Sequence, residues 1–430
     1  MRASKIITGG AVLFFFLGQA VQAGEVLTWP DCIKEAAKNN SDLIAAREGL
    51  TATAAGETIA GSALWPQLTG NAGFRRSGDA FDGISGDEGT DEYSYGLGIQ
   101  QVLFDGFKKI NAVYTARETT RAARAGYRFT STTVRLNLRT AFINLLKAQE
   151  FVKVSAEIVS IRRENLELIA LRYRSGLEHE GALLTAQANV AQAEFEQDQA
   201  RREVDVAQRQ LSKEMGRGDF NPFSVSGEFA VSENVRQTPD FEKLIKDNPS
   251  LLQAAAEKNA AAFNLKSASG DRAPQIAGSL AVDKVGTAWP PRDEQWTAGV
   301  RVSLPLFEGG LRQAQVVQAR ALYRQAQARE LSAHERVRAE LAQAWARVQD
   351  ALQAEAVQRK ALAAAAKRAE IAAAQYSTGF INFDSWTIIE DNLVGAKRVY
   401  LSARASMLLA EAAWVQAAAT PAAADTVPMD

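Results

Sequence analysis

The sequence has 430 residues, with 49 Lys+Arg against 50 Asp+Glu, a net charge of −1 that leaves no global basic field to hold nucleic acid. Two histidines and a single cysteine, Cys32, argue against Cys/His metal sites and exclude a disulfide within one chain. Length alone suggests two or three soluble domains, but 47% apolar residues at a mean hydropathy of −0.18, with few prolines, fit long Ala-rich helices better than a compact enzyme.

At the start, Arg2 and Lys5 precede an apolar run from Ile6 to Leu17, and Val21-Gln22-Ala23 supplies small residues before Gly24. This predicts a secretory signal peptide over 1–23, cleaved after Ala23. A membrane-anchoring helix is the competing reading, and the run falls short of the roughly 20 residues that a span requires. Cys32 lies well past the cleavage site, so the sequence predicts a free thiol on a non-lipidated protein. No later apolar run is long enough to cross a bilayer as a helix, so any membrane crossing must use strands.

The chain then says the same thing twice. Asn40-Ser41-Asp42-Leu43 recurs as Asn248-Pro249-Ser250-Leu251, an offset of 208 (248 − 40), and Pro66-Gln67 recurs as Pro274-Gln275 at the same offset. Phe104-Asp105-Gly106 recurs as Phe307-Glu308-Gly309, and Tyr173-Arg174-Ser175-Gly176 as Tyr376-Ser377-Thr378-Gly379, now at 203 (376 − 173). The five-residue change falls between the Pro-Gln and Phe-acid-Gly landmarks, which locates a variable surface loop there. The predicted order is a first repeat over 24–215, an equatorial linker over 216–238, a second repeat over 239–417 and a tail over 418–430.

Within each repeat the pattern reads helix, two strands, very long helix, turn, helix. The long helices are expected over 107–172 and 310–375. The first run has one glycine, Gly126, and no proline, and the second has neither after Gly310. Each would reach roughly 100 Å at 1.5 Å per residue. Strands are expected at about 66–77, 93–104, 274–285 and 295–306. In the first, Leu68, Gly70, Ala72 and Phe74 alternate with Thr69, Asn71, Gly73 and Arg75, and in the last Trp296, Ala298, Val300 and Val302 alternate with Thr297, Gly299, Arg301 and Ser303. Ten-residue segments that are apolar on one face and polar on the other suit strands with one side in lipid and one in water. A half-buried soluble sheet would alternate similarly. Four strands cannot close a barrel, and an open edge is not tolerated in lipid. The fold class read from this is mainly α with a membrane β-barrel portion shared between chains. Three chains, giving twelve strands, leave a water-filled lumen, whereas eight strands are filled by their own side chains.

At this point the motifs resemble those of the TolC-like outer-membrane efflux protein family, the exit ducts of tripartite efflux and type I secretion systems. The resemblance rests on Asn39-Asn40-Ser41-Asp42-Leu43, Trp65-Pro66-Gln67-Leu68, Gln101 to Gly106 and Tyr173 to Leu177, with their second-copy counterparts, and runs from about Leu27 to Ala417. It implies a homotrimer with a twelve-stranded outer-membrane barrel continuous with a periplasmic α-helical barrel. The implied partners are outer-membrane lipid, a periplasmic adaptor and, indirectly, an inner-membrane pump or ABC transporter. It implies no cofactor.

By the same resemblance, Tyr173, Gly176 and Leu177 in a tip turn over 173–181, and Tyr376, Gly379 and Phe380 in one over 376–383, lie at the periplasmic tip and meet the adaptor. Asp384, Glu390 and Asp391 are candidates for the entrance, with Glu178 and Glu180 beside the first turn. Phe104, Asp105, Gly106, Phe307, Glu308 and Gly309 form the barrel-to-helix turns. A solvated charge at a helix end is the plainer reading of Asp384, and a glycine needed only for the reversal is the plainer reading of each tip. No phosphate loop, zinc spacing or nucleophile constellation is present in the sequence. A periplasmic coiled-coil adaptor without a pore and an envelope enzyme on a helical scaffold stand as the competing functional readings.

Overall fold

The computed structural model describes residues 25–78 and 89–419. The proposed leader, residues 79–88 of the variable loop, and residues 420–430 of the tail lie outside the described residues.

Each repeat opens with a helix interrupted at its asparagine landmark. Helices α1 (Trp29–Asn39) and α2 (Ser41–Ser62) meet at Asn40, and α5 (Phe241–Asp247) and α6 (Pro249–Gly270) meet at Asn248. Both asparagines have extended backbone and cap the following helix: the Asn40 Oδ1 accepts from the backbone N–H groups of Asp42 and Leu43, and the Asn248 Oδ1 from that of Ser250. Each amide then donates to the far end of its own repeat. Asn40 reaches the Glu214 carbonyl at 2.9 Å and Asn248 the Ala417 carbonyl at 3.2 Å. One side chain thus breaks a helix, caps the next and pins the end of a third.

The strands follow. β2 (Gln67–Ser77) and β3 (Thr90–Phe104) form one antiparallel hairpin, β5 (Gln275–Gly286) and β6 (Asp293–Ser303) the other, and β3 pairs with β5 to give one sheet in the order β2-β3-β5-β6. β3 starts at Thr90, earlier than the expected 93. β6 stops at Ser303, short of 306, because Pro305 has no N–H to extend the ladder. β2 and β6 are exposed on both faces along their whole length, and each carries an unpaired edge within the chain.

From the sheet the chain runs into α3 (Lys108–Arg174) and α7 (Leu311–Ser377), each 67 residues long and about 100 Å by helical rise. Both extend two residues past the expected 172 and 375. The returns are α4 (Glu180–Met215) and α8 (Phe383–Ala418). α3 is the hub, packed along α2, α4, α6 and α8. Among the described residues no helix is long and apolar enough to cross a membrane.

Two apolar centres brace the middle of this assembly. A short strand β1 (Glu25–Leu27) pairs in parallel with β4 (Phe223–Val225) from the segment linking the repeats. They cover a core of Trp29, Ile33, Leu138, Phe142, Leu145 and Leu211. Cys32 lies inside this core, where burial raises its thiol to about 12 and keeps it unreactive at neutral pH. Arg217 ties the same region together, donating to Glu35 at 2.6 and 2.7 Å and to Glu25 at 3.0 Å. The second centre packs Trp345 edge-on to Trp414 beside Val337, Leu341 and Ile245.

Candidate functional site

The far ends of α3 and α7 carry the two tip turns. Gly176 and Gly379 have φ of +71° and +80°, the left-handed conformation open to glycine. Each helix closes with the same pair of bonds: Leu177 N–H to the Arg172 carbonyl and Gly176 N–H to that of Tyr173, matched by Phe380 N–H to Gln375 and Gly379 N–H to Tyr376. This closure keeps Tyr173 and Tyr376 inside their helices, so the turns proper are shorter than the expected 173–181 and 376–383. Leu177 and Phe380 stand one residue beyond, with 66% and 79% of their surface exposed.

The two tyrosines part company. Tyr173 faces outward, whereas Tyr376 is buried, stacked on Trp386 at 4.4 Å between ring centroids and 8° between planes. Its hydroxyl donates to Glu178 Oε2 at 2.7 Å, and Arg172 lies over its ring at 4.7 Å while donating to its carbonyl. Burial and the adjoining Glu178 carboxylate hold the phenol well above its ordinary value, so it stays a donor. Ile169, Ala182, Ala186, Ala372 and Phe383 complete this cluster, which binds the first tip turn to the second.

Behind the tips, ion pairs stitch α3, α4 and α8. Arg162 on α3 pairs with Asp391, Arg398 on α8 with Glu196 on α4, Lys397 with Glu157 at 2.6 Å, and Arg163 with Glu194 at 2.5 Å. Of the three entrance candidates, Asp384 is exposed in the first turn of α8, where the helix dipole favours an acid. Asp391 is the partner of Arg162. Glu390 is buried between helices, and that burial raises its carboxyl above the usual range against the opposing pull of Arg162 and a hydrogen bond from Asn165. Arg162, Glu178 and Trp386 were not singled out as partners by the sequence. Their contacts span as many as 229 positions, whereas the Tyr-x-x-Gly repeat and the acids near it marked only the neighbourhood.

At the other end, the Phe-acid-Gly turns differ between repeats. Gly106 (φ +69°) is buried and packed against the Gly270 carbonyl, Asp105 Oδ2 accepts from the Lys109 N–H at 3.0 Å, and Lys108 pairs with Asp271 at 2.7 Å. Gly309 (φ +58°) has open space around it, Phe307 is 90% exposed, and Glu308 pairs with Arg312 in the first turn of α7 at 2.5 Å.

The sequence profile for outer membrane efflux proteins matches residues 32–217 and 241–424, both repeats almost entire. The chain belongs to the outer membrane efflux protein family. The outer membrane efflux protein BepC of Brucella suis is 25% identical over 374 residues, covering 84% of this chain and 77% of that one. A membrane protein from Pseudomonas aeruginosa superposes with a TM-score of 0.82 at 19% identity, covering 90% of this chain and 92% of the other. The outer membrane protein VceC of Vibrio cholerae gives 0.80 at 20%, covering 90% and 95%. At such identities these two structures establish the shared fold. Membership makes this chain a passive exit duct of the outer membrane, with its strands in the barrel and its long helices in the periplasm. The family is one of channels, not of enzymes.

Proposed function

We propose that three copies of this chain form one continuous duct, which receives substrate from an inner-membrane pump through a periplasmic adaptor and releases it outside the cell. The observation that carries this reading is the four-stranded sheet: both edges are open and one face is apolar, a combination that lipid tolerates only when other copies close the barrel. Eight further strands from two more copies would complete twelve. The exposed Leu177 and Phe380, held on rigid glycine turns, are the apolar contacts for the adaptor, with Tyr173 beside them. Tyr376 acts from inside, as the post that keeps the two turns together. Asp384 lines the entrance, where three symmetry copies of a carboxylate favour cations. Asp391 holds the entrance helices together through Arg162, and Glu390 is buried beside that pair.

Purified protein reconstituted in planar bilayers should carry ion current, and Asp384→Ala should lower its cation preference by about twofold. A folded trimer that passes no current in either form would refute the duct, while unchanged selectivity would remove Asp384 from the entrance.

A further inference from the structure

Among the charges on the polar face of the sheet, two of opposite sign are made equivalent by the internal duplication. Once the repeat offsets are applied, the two hairpins share one register: Gln67 faces Gln100 in the first, and Gln275 faces Ser303 in the second. Arg75 on β2 and Asp283 on β5 are likewise 208 apart (283 − 75) and occupy the same place in their hairpins. Alternation puts Arg75 on the face of Thr69, Asn71 and Gly73, and Asp283 on that of Ser279 and Ala281. Leu68, Phe74, Leu280 and Val282 point to the other, lipid-facing side.

Asp283 lies across Gly96 of β3, where a Cβ would collide with its carboxylate, and accepts a hydrogen bond from Asn71 Nδ2 at 3.1 Å. The same row exists at the outer edge of the second hairpin. Gly299 stands where Gly96 stands, and it faces Ser279, the counterpart of Asn71. The missing member of that row belongs to the strand that would pair with β6. Carrying the β3–β5 pairing across by the offsets, Gly96 opposite Asp283 becomes Gly299 opposite Arg75 of a second copy, and Ile99 opposite Leu280 becomes Val302 opposite Ala72 of that copy. The turns below agree. Gly106 is covered by Gly270 of the second repeat, whereas Gly309 and Phe307 are bare, as they must be if their cover is the first repeat of another chain.

We propose that Arg75 and Asp283 from three chains alternate around one level of the barrel as a six-membered ring of charge, and that this balanced ring sets the ion selectivity of the barrel lumen. The proposal rests on the trimeric-duct reading and adds to it a specificity element far from the periplasmic entrance. Gly73, Gly96 and Gly299 add no side chain to the wall beside the ring, and a further charge next to it is Glu92, directly opposite Arg75 on β3. The ring itself balances three guanidinium groups against three carboxylates, with Glu92 as a further carboxylate opposite each Arg75. Removing Asp283 or Arg75 therefore changes the local charge by three units of one sign, felt within a screening length of about 8 Å at physiological salt.

The test compares wild type, Asp283→Asn, Arg75→Gln and the double variant in planar bilayers under a salt gradient. Asp283→Asn should shift the cation-to-anion permeability ratio toward anions by about twofold, Arg75→Gln toward cations by a similar factor, and the double variant should return to the wild-type ratio. Conducting variants whose ratio does not move would overturn the ring. The geometry is checked without current, by cysteine cross-linking against a background in which Cys32 is fully buried. Val302→Cys with Ala72→Cys should give disulfide-linked oligomers, because directly opposed strand positions bring Cα atoms within about 5.5 Å. Val302→Cys with Gly70→Cys, two positions out of register, should not. The reverse pattern, or links in neither pair of a protein that runs as a trimer, would overturn the ring. A wild-type protein without current would overturn the duct, and the cross-links would still decide whether the six residues share a level.

Discussion

At Glu390 burial and charge are directly opposed. Its carboxyl is raised above 4.5 because the helices around it exclude water, and Arg162 recovers only part of that cost. The folded chain therefore holds this proton more tightly than the unfolded chain. Its contribution to stability is complete below about pH 4.5 and is lost as pH rises through the elevated folded value. At neutral pH the ionised form is a burden on the tip. Glu390→Gln keeps the hydrogen bond with Asn165 and cannot ionise, so it should raise the thermal unfolding midpoint at about pH 7.5 and change little at about pH 4. A midpoint lowered at neutral pH would mean that the attraction of Arg162 outweighs burial. Arg162 retains Asp391 in either case, so the variant leaves no unpaired cation. Cys32 illustrates the opposite outcome of burial: its raised thiol sits in a packed core with nothing to react with.

Among elements, the tip turns show what a sequence can and cannot reveal. The glycines were legible because a reversal between two long helices needs a left-handed residue, and Gly176 and Gly379 adopt it. Strand alternation was equally legible, since period two is local and each face meets one solvent. Tyr376 was not separable from Tyr173 by pattern. The motif is the same, but one ring packs on Trp386 and the other faces outward, a distinction made by helices that meet only after folding. Asn40 and Asn248 were visible as landmarks, yet their dual role was hidden, because the carbonyls they reach are 174 and 169 positions away. The turn itself yields a clean prediction. Open space surrounds Gly176, so Gly176→Ala should suffer only backbone strain, about 1–2 kcal/mol. Gly176→Asn should suffer less, since asparagine tolerates the left-handed region. Hydrogen exchange of the first turn of α4 should quicken from wild type to Gly176→Asn to Gly176→Ala, and equal rates in all three proteins would show that the turn does not depend on its glycine.

At the scale of the whole molecule, duplication divides the contacts between repeats into a set made within the chain and a set left for a neighbour. The β3–β5 pairing is internal and its counterpart is the open β6 edge; Gly106 is covered and Gly309 is bare. Two substitutions of the same kind should therefore fail differently. Both glycines have positive φ, so alanine at either carries about 1–2 kcal/mol of backbone strain. At Gly106 the new methyl also meets the Gly270 carbonyl and Ala273, backbone and side chain of the same polypeptide, with no flexible atom to yield. Gly106→Ala should consequently damage the chain's own fold, seen as protease sensitivity near Lys108 and Asp271 even before assembly. Within one chain Gly309→Ala meets no neighbouring atom. In the proposed trimer its cover would be Ser62 of a second copy, by the same offset that relates Gly270 to Ser62. The isolated chain should keep its protease resistance, and the loss should appear as fewer trimers surviving in detergent. If Gly309→Ala instead destabilised the monomer and left the trimer fraction unchanged, the bare turn would not be an assembly surface, and the division of contacts between copies would have to be redrawn.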